Sequence, residues 1–421
     1  MWLGRMADEV PKYDASILAK DVAADAPLQA LLAPHATMFA ACAAIEKSTG
    51  DLNGPLWHEK FALKEPLLEL LKAHPLFSQG KELGVGNSGF HTSPNSIVDS
   101  MLDAACEWGP VGAIGWLRKI HACTHTEMAA VSAVSGLNIT DPIGFSNGQT
   151  ICRAKHIPWC ARAKGMEFDI MTVPFGQLMH PAAKAHCFVW GDVEAKITAA
   201  GEKRLYETQG PREKQRDLIV ALALDPSAAP TTTTWWTEFL DPVFQIFSKR
   251  GWGQFGQKDD GPEQNASVSL AADTKALVEA YLALTGDWRN ACAIALNTIH
   301  LSRRFLRPAG KALQLCIGLE ALLGPDGGTG EIIHKVATRA AVILADSYAD
   351  RVEKQKAFRK LYDVRSKLVH GKVAKDEKIW QALKPTVSDI ARLSRLAVQR
   401  PDGFPVQHID LMGSLPTAAA T

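Results

Sequence analysis

The last third of this 421-residue chain is a succession of helical patterns separated by short breaks. Gly324-Pro325, Gly371 and Pro401 each follow a stretch of helical periodicity, as is expected of residues that end helices. Short connections place consecutive helices antiparallel, so that their apolar faces can share one core. We therefore predict an antiparallel helical bundle over residues 290–400, with helices at 290–304, 309–323, 331–346, 351–370 and 376–399.

The preceding part of the chain has a mixed texture. Asn147-Gly148 lies between two apolar runs, a pattern that favours a β-hairpin. With the strand-like runs around it, the hairpin predicts a small antiparallel β module at about residues 127–197. From about residue 205 the pattern turns helical, with Asp273 placed as the N-cap of a helix at 273–285. The Thr-rich stretch 229–234 is typical of a loop, and 235–247 of a helix.

These patterns predict an α+β fold that is mostly α, in four parts. Residues 1–200 form a mixed N-terminal region suited to sensing or regulation, and residues 201–289 a helical connecting region. Residues 290–400 form the bundle. Residues 401–421 are a tail that contains little to build a core.

Composition places the protein among ordinary globular chains, with 47% hydrophobic and 22% charged residues. The sequence has no uninterrupted apolar run of about eighteen residues and no extended apolar segment before Asp8. We therefore expect neither a membrane span nor a secretory signal. Eight scattered cysteines in such a chain are typical of free thiols. We predict a cytoplasmic protein without membrane contact.

The net charge of +1 hides a segregation of charge along the chain. Residues 301–400 contain 20 of the 46 Lys/Arg residues and 10 of the 45 Asp/Glu residues, which leaves 26 against 35 for the remainder. A basic segment on an acidic body is typical of nucleic-acid-binding proteins. The alternative is that the two regions pack together and neutralise each other.

Arg365 and His370 stand at the end of the predicted fourth helix, which Gly371 closes. The Arg is a permanent cation with planar donors that suit a phosphate, and the His titrates near neutral pH. A helix C-terminus favours the protonated His, which can then act as an acid. The Arg-x4-His spacing arises by chance in chains of this length, so its weight depends on context.

Three blocks of the bundle resemble an Apea-like HEPN domain. They are Leu319-Glu-Ala-Leu-Leu323, Glu331 with Arg339-Ala-Ala-Val-Ile-Leu344, and Leu361-Tyr-Asp-Val-Arg-Ser-Lys-Leu-Val-His-Gly371. Their order and spacing are similar to the family's over about residues 290–400. The resemblance implies a homodimer in which the Arg-x4–6-His motifs of two protomers form one cleft. Many members are metal-independent endoribonucleases of prokaryotic toxin–antitoxin, abortive-infection and antiviral systems.

By this resemblance, Arg365 would stabilise the charge on the phosphorane. His370 would act as base on the ribose 2′-hydroxyl or as acid on the leaving 5′-oxygen. The products would be a 2′,3′-cyclic phosphate and a 5′-hydroxyl, with no cofactor. The implied partners are RNA, tRNA among the candidates, a second copy of the chain, and an inhibitor or phage-derived trigger. Ser366 departs from the family, whose active members often have Asn, Asp or His after the Arg.

Further residues complete the candidate site, in which Ser366 and two others have a supporting role. Glu320, in a mostly apolar helix, is expected to be a buried partner that orders Arg365, rather than an exposed carboxylate. Tyr362 is expected to pack in the core, with base stacking as the alternative. Lys367 and Lys372 are candidate RNA contacts or part of a solvated basic face.

Two alternatives remain open. One is a structural zinc site around Cys152-x3-His156-x3-Cys160, but the Cys-x2-Cys pairs of strong zinc sites are missing, so we assign no metal ligand. The other is a non-catalytic HEPN protein that binds RNA or regulates a partner. Further potential ligands lie near the first motif: His121, Cys123, His125, His180, His186 and Cys187.

Overall fold

The protein is α+β and mostly helical, as predicted. The computed structural model describes residues 22–49, 56–78, 83–85, 90–91, 93–122, 125–157, 187–199, 209–239, 244, 246, 268–304, 307–324, 332–371 and 375–412.

The N-terminal helices pack on one long helix, α6. Gly109 kinks α6 with φ +75°, and Pro110, which cannot continue the hydrogen-bond ladder, follows it. Trp116 of α6 is fully buried in the core that the helices share. The helices are α1 Val22–Leu32, α2 Ala36–Thr49, α3 Trp57–Ala62, α4 Lys64–Ala73, α5 Pro75–Ser78 and α6 Pro94–Ala122.

One described segment, Asp25–Ile45, is by length and mean hydropathy (1.5) apolar enough to cross a membrane, and 22% of its apolar window is buried. It departs from the expectation that the chain holds no such segment. Its side chains Leu32 and Phe39 are fully buried in the N-terminal core. A single segment of this kind is weak evidence for a span, because core helices and signal sequences share its properties.

The described strands form one antiparallel sheet in the order β2-β1-β6-β3-β7. A short hairpin, β4–β5, extends it by pairing β5 with β6. In the centre, Val131 of β3 faces Trp190 of β6 and Trp236 of β7. The strands are β1 Leu83–Val85, β2 Phe90–His91, β3 His125–Ser135, β4 Ile143–Gly144, β5 Gln149–Cys152, β6 Cys187–Ala199 and β7 Thr231–Phe239.

The hairpin predicted at Asn147-Gly148 is confirmed. Gly148 has φ +81°, and its N–H donates to the carbonyl of Phe145 at 3.0 Å. The Asn147 side chain accepts from the N–H of Gln149 at 3.1 Å. Asn and Gly therefore act here through their usual turn chemistry.

The predicted loop at 229–234 and helix at 235–247 are wrong over residues 231–239, which form β7. β-branched Thr and aromatic Trp favour a strand when a partner is present. Trp236 is fully buried and meets Phe188 edge-on at 6.3 Å between ring centroids, whereas Trp235 on the other face is half-buried. The connecting region is therefore not purely helical, and the sheet extends beyond residues 127–197.

Helix α7, Gln209–Ala221, joins the sheet to the C-terminal helices. The buried Gln215 donates to the carbonyl of Ala130 at 2.6 Å and accepts from the Ser132 hydroxyl at 2.5 Å. The 3₁₀ turn Leu222–Leu224 after α7 lies in an apolar core that also contains sheet residues and the C-terminal bundle. The bundle thus shares its core with the sheet.

The predicted succession of C-terminal helices is present. α9 and α10 lie close together because Gly318 has no side chain: a Cβ there would stand 2.4 Å from Oγ1 of Thr298. The helices are α8 Thr274–Ala283, α9 Gly286–Arg304, α10 Pro308–Leu323, α11 Ile332–Leu344, α12 Tyr348–Val369, α13 Asp376–Leu383, α14 Val387–Val398 and α15 Val406–Met412.

Three predictions about this region need correction. The helix predicted at 376–399 is two helices, because Pro385 interrupts the ladder. Asp273 precedes α8 but makes no side-chain cap, since its carboxylate pairs with Arg395. The tail predicted to build little core contains α15, with Ile409 1% exposed.

Candidate functional site

The end of α12 presents the Arg-x4-His motif. Ser347 caps the start of this helix by accepting from the N–H of Asp350 at 3.1 Å. The helix begins at Tyr348, three residues before the predicted start. At the other end, His370 is the C-cap, with φ −86° and ψ 16°. Gly371 follows with φ +68° and donates to the carbonyl of Leu368 at 3.1 Å, an end that favours glycine.

His370 is exposed, and its own N–H donates to the carbonyl of Ser366 at 3.1 Å. The imidazole therefore stands in solvent at the negative end of a 22-residue helix. Its neighbour Val369 is 56% exposed, so the helix end as a whole is uncovered among the described residues. A ligand can reach this histidine directly.

Arg365 pairs with Glu320, as predicted: Nη2 lies 3.6 Å from Oε1. The expected burial is wrong, because the side chains are 37% and 30% exposed. The separation is longer than a hydrogen bond, so the pair orients the guanidinium without using all its donors. Arg365 thus keeps N–H groups available to a phosphate beside the last turn of α12.

Tyr362 lies in the core, as favoured over base stacking. It is 1% exposed, and its hydroxyl donates to the carbonyl of Cys316 at 3.5 Å. Burial, followed by the charges of Cys316 and Glu320, raises the pKa of this phenol. Tyr362 can therefore fix α12 against α10 below the Arg365–Glu320 pair, but it cannot stack on a bound base.

The two candidate RNA-binding lysines differ in what is known of them. Lys367 is exposed on the last turn of α12, so it can contact a phosphate or remain solvated. Lys372 lies outside the described residues. Ser366 is half-buried, and its carbonyl holds the N–H of His370.

Arg339, from the second block of the resemblance, has a structural position. It is 3% exposed, and its Nη1 donates to the carbonyls of Leu323 and Gly324 at 2.6 and 3.0 Å. It ties the end of α10 to α11 and so holds the helix that carries Glu320. Glu331, from the same block, lies outside the described residues.

The candidate zinc motif is not assembled among the described residues, where no group of three His, Cys, Asp or Glu could hold a metal. Burial raises the pKa of Cys152 to about 12, so the neutral thiol is favoured over the thiolate that binds zinc. Cys160 and His180 lie outside the described part of the chain, as do Cys123 and His186.

A second basic cluster, which the sequence pattern does not reveal, lies on the faces of α7 and α9 that meet. It contains Arg216, His300, Arg303 and Arg304, and the three arginines all lower the pKa of the buried His300. The local signal in the sequence is His300 followed by Arg303-Arg304 on one helix. Arg216, 84 positions before His300, joins them through the packing of the two helices.

A scan of protein-family models, a search of curated proteins and a search of solved structures each find no match for this chain.

Proposed function

We propose that this protein is a metal-independent endoribonuclease whose catalytic residues are Arg365 and His370. The observation that carries the proposal is their joint accessibility: His370 is exposed at the C-cap of α12, and Arg365 stands 37% exposed beside the same helix end. The resemblance to Apea-like HEPN domains supplies the reaction. Both residue types suit phosphate chemistry at neutral pH.

The chemistry divides between the two side chains. Arg365 donates to the non-bridging oxygens of the scissile phosphate and stabilises the charge that develops there. His370 takes the proton of the ribose 2′-hydroxyl or gives one to the leaving 5′-oxygen. The attack of the 2′-oxygen breaks the P–O5′ bond, so the products are a 2′,3′-cyclic phosphate and a 5′-hydroxyl.

One protomer supplies one histidine, whereas the reaction needs a base and an acid. Five helical positions separate Arg365 from His370 by about 140° around the axis, so the two side chains flank a phosphate rather than meet on one face. Two copies of α12 facing each other would bring two histidines to one phosphate. We therefore propose a homodimer with a composite cleft, with RNA, including tRNA, as its substrate.

The biological setting follows from the same resemblance. We propose a cytoplasmic effector of a prokaryotic defence system of the abortive-infection or toxin type. The N-terminal helices and the sheet would restrain or sense, because the sheet shares a core with the bundle and can influence it. An inhibitor or a phage-derived trigger would set the activity.

The second candidate function is a non-catalytic HEPN module that binds RNA or regulates a partner. The ion pair between Arg365 and Glu320 favours it, because a paired guanidinium is partly neutralised before RNA arrives. Ser366 favours it too, since it departs from the residues common after the Arg in active members.

The decisive experiment incubates purified wild-type protein and the His370→Ala variant with total RNA in the presence of EDTA. We expect cleavage by the wild type and a loss of about 10²–10⁴-fold in the variant, the usual contribution of a general acid or base. The new 3′ ends should resist ligation until the cyclic phosphate is removed.

His334→Ala is the matched control, since His334 is exposed on α11 and contacts Arg359 rather than the α12 end. It should cleave as the wild type does. Equal cleavage of RNA by His370→Ala and the wild type would show that His370 is not a catalytic residue. RNA binding without cleavage by any of the three proteins would favour the non-catalytic function.

A further inference from the structure

The basic cluster between α7 and α9 is unusual for its depth. His300 is 3% exposed and Arg304 is 6% exposed, although arginine rarely lies this deep. Arg303 is half-buried beside them, and Arg216 of α7 is exposed at the rim. The cluster therefore runs from an accessible arginine down to a buried imidazole.

Two described acids beside the cluster, Asp225 and Asp217, are engaged by other groups. Burial raises the pKa of Asp225, but hydrogen bonds from Ala271, Ser227 and Thr274 outweigh this and hold it below its usual value. Its oxygens accept these bonds at 2.7–3.0 Å.

Asp217, next to Arg216 in sequence, accepts from the hydroxyl of Tyr281 at 2.6 Å and pairs with Arg289. The carboxylates of Asp217 and Asp225 are thus committed to other groups.

Arg303 is held in place by the backbone, and its bonds to described residues use one nitrogen of the guanidinium. Its Nη1 donates to the carbonyls of Asp225 and Ala228, both at 2.6 Å. A guanidinium has five N–H groups in a rigid plane, so the two bonds from Nη1 fix its direction. These two bonds do not use the N–H groups of Nε and Nη2.

His300 has an unused polar atom. Its Nδ1 has less than 1 Å² of accessible surface and no hydrogen-bond partner in the described part of the chain. Burial, followed by the charges of Arg304, Arg303 and Arg216, lowers the pKa of His300 to about 3. A buried polar atom without a partner costs free energy, and an anion among these cations would supply the partner.

We propose that His300, Arg303, Arg304 and Arg216 form a binding site for a terminal phosphate group, that of a phosphate monoester. The arginines match the planar, bidentate recognition of phosphate oxygens, and Nδ1 of His300 shares a proton with one of them. The depth of His300 favours a compact end group over a continuous backbone, which would need an open groove. The carrier is a mononucleotide or the phosphorylated end of an RNA strand.

Calorimetric titration of the full chain with inorganic phosphate, AMP and adenosine at constant ionic strength tests the site. Phosphate and AMP should bind and adenosine should not, and binding should raise the pKa of His300, observed by NMR of its ring protons. Arg216→Gln removes an exposed arginine, so the variant should fold and should bind AMP about tenfold more weakly. RNA with and without a 5′-phosphate then identifies the carrier.

Arg212→Gln is the matched control, because Arg212 lies one turn earlier on α7, exposed, 4.6 Å over the ring of Trp235. It loses the same charge and should keep AMP affinity. If Arg212→Gln and Arg216→Gln weaken AMP binding equally, the binding reflects diffuse surface charge and the proposed site is wrong. The site is also wrong if neither AMP nor phosphate binds at millimolar concentration. The assay contains no cleavage step, so its result is independent of the nuclease proposal.

Discussion

Arg339 and Asp410 form a two-point ion pair between α11 and α15: Nε lies 2.9 Å from Oδ1, and Nη2 lies 2.5 Å from Oδ2. Arg339 is 3% exposed, whereas the side chain of Asp410 is 32% exposed. The guanidinium also holds the carbonyls of Leu323 and Gly324. A residue of the last described helix, α15, thus completes the hydrogen bonding of a buried arginine in the bundle.

Replacement of Asp410 by Asn should lower the free energy of unfolding by about 1 kcal/mol, because a charged, partly exposed acceptor is lost while Arg339 keeps its carbonyl partners. Arg339→Met should cost more, about 2 kcal/mol, since two carbonyls also lose their donor. Urea denaturation measures both. Asp402→Asn, an exposed neighbour, is the control, and an Asp410→Asn variant as stable as the wild type would contradict the role of the pair.

The same pair predicts a pH dependence. The hydrogen bond from Arg339 holds the pKa of Asp410 below its usual value. A depressed carboxylate pKa stabilises the fold above the unfolded-state value of about 3.9, and this contribution is lost as pH falls through the folded-state pKa. The stability difference between wild type and Asp410→Asn should therefore shrink below about pH 4. A difference that grows on acidification would contradict this origin.

Gly371 should be difficult to replace for a local reason. It has φ +68°, and a Cβ there would meet nothing within 4 Å, so the cost of Gly371→Ala is backbone strain alone. We expect about 1 kcal/mol of lost stability and fraying of the last turn of α12. Ser347→Ala, at the other end of the helix, should cost a similar amount through its cap. If strain at the C-cap displaces His370, Gly371→Ala lowers RNA cleavage and Ser347→Ala does not.

Replacing Glu320 tests whether this residue positions Arg365 for cleavage or only stabilises the fold. In Glu320→Gln, Arg365 loses its anionic partner but the side-chain volume is kept. Within the proposed nuclease, RNA should bind more tightly because a negative charge is removed, and cleavage should slow by about tenfold because the guanidinium is less well oriented. Single-turnover cleavage and filter binding measure the two effects. Weaker binding together with slower cleavage would indicate a general loss of structure.

Local signals account for what the sequence could predict. The apolar periodicity of α9, α10 and α12 placed these helices within a few residues of their observed limits, as did Asn147-Gly148 for the hairpin. The break between α13 and α14 has an equally local cause, Pro385. Strand β7 could not be recognised in this way, because its Thr and Trp residues become a strand by pairing with β3, about 100 positions earlier.

The candidate site shows the same division. The helix end that carries His370 followed from sequence, and so did the pairing of Glu320 with Arg365. The exposure of His370, Arg365 and Glu320 could not be predicted from sequence, since it depends on which elements cover α10 and α12. The cluster around His300 was beyond prediction for the same reason, because Arg216 reaches it through the packing of two helices.

His121 and His300 should make the fold sensitive to acid. Burial and then the charge of His74 lower the pKa of His121 to about 4, and that of His300 is about 3. Between the unfolded-state value of about 6.5 and these values, the unfolded chain takes up protons that the folded chain does not. Stability is therefore fully present above about pH 6.5 and is lost as pH falls, by at most about 1.4 kcal/mol per pH unit for each histidine.

Urea denaturation between pH 7 and 5 measures the slope of the unfolding free energy against pH. His121→Gln should reduce this slope, and the half-exposed control His35→Gln should not. An unchanged slope in His121→Gln would show that its imidazole is protonated equally in the folded and unfolded chains.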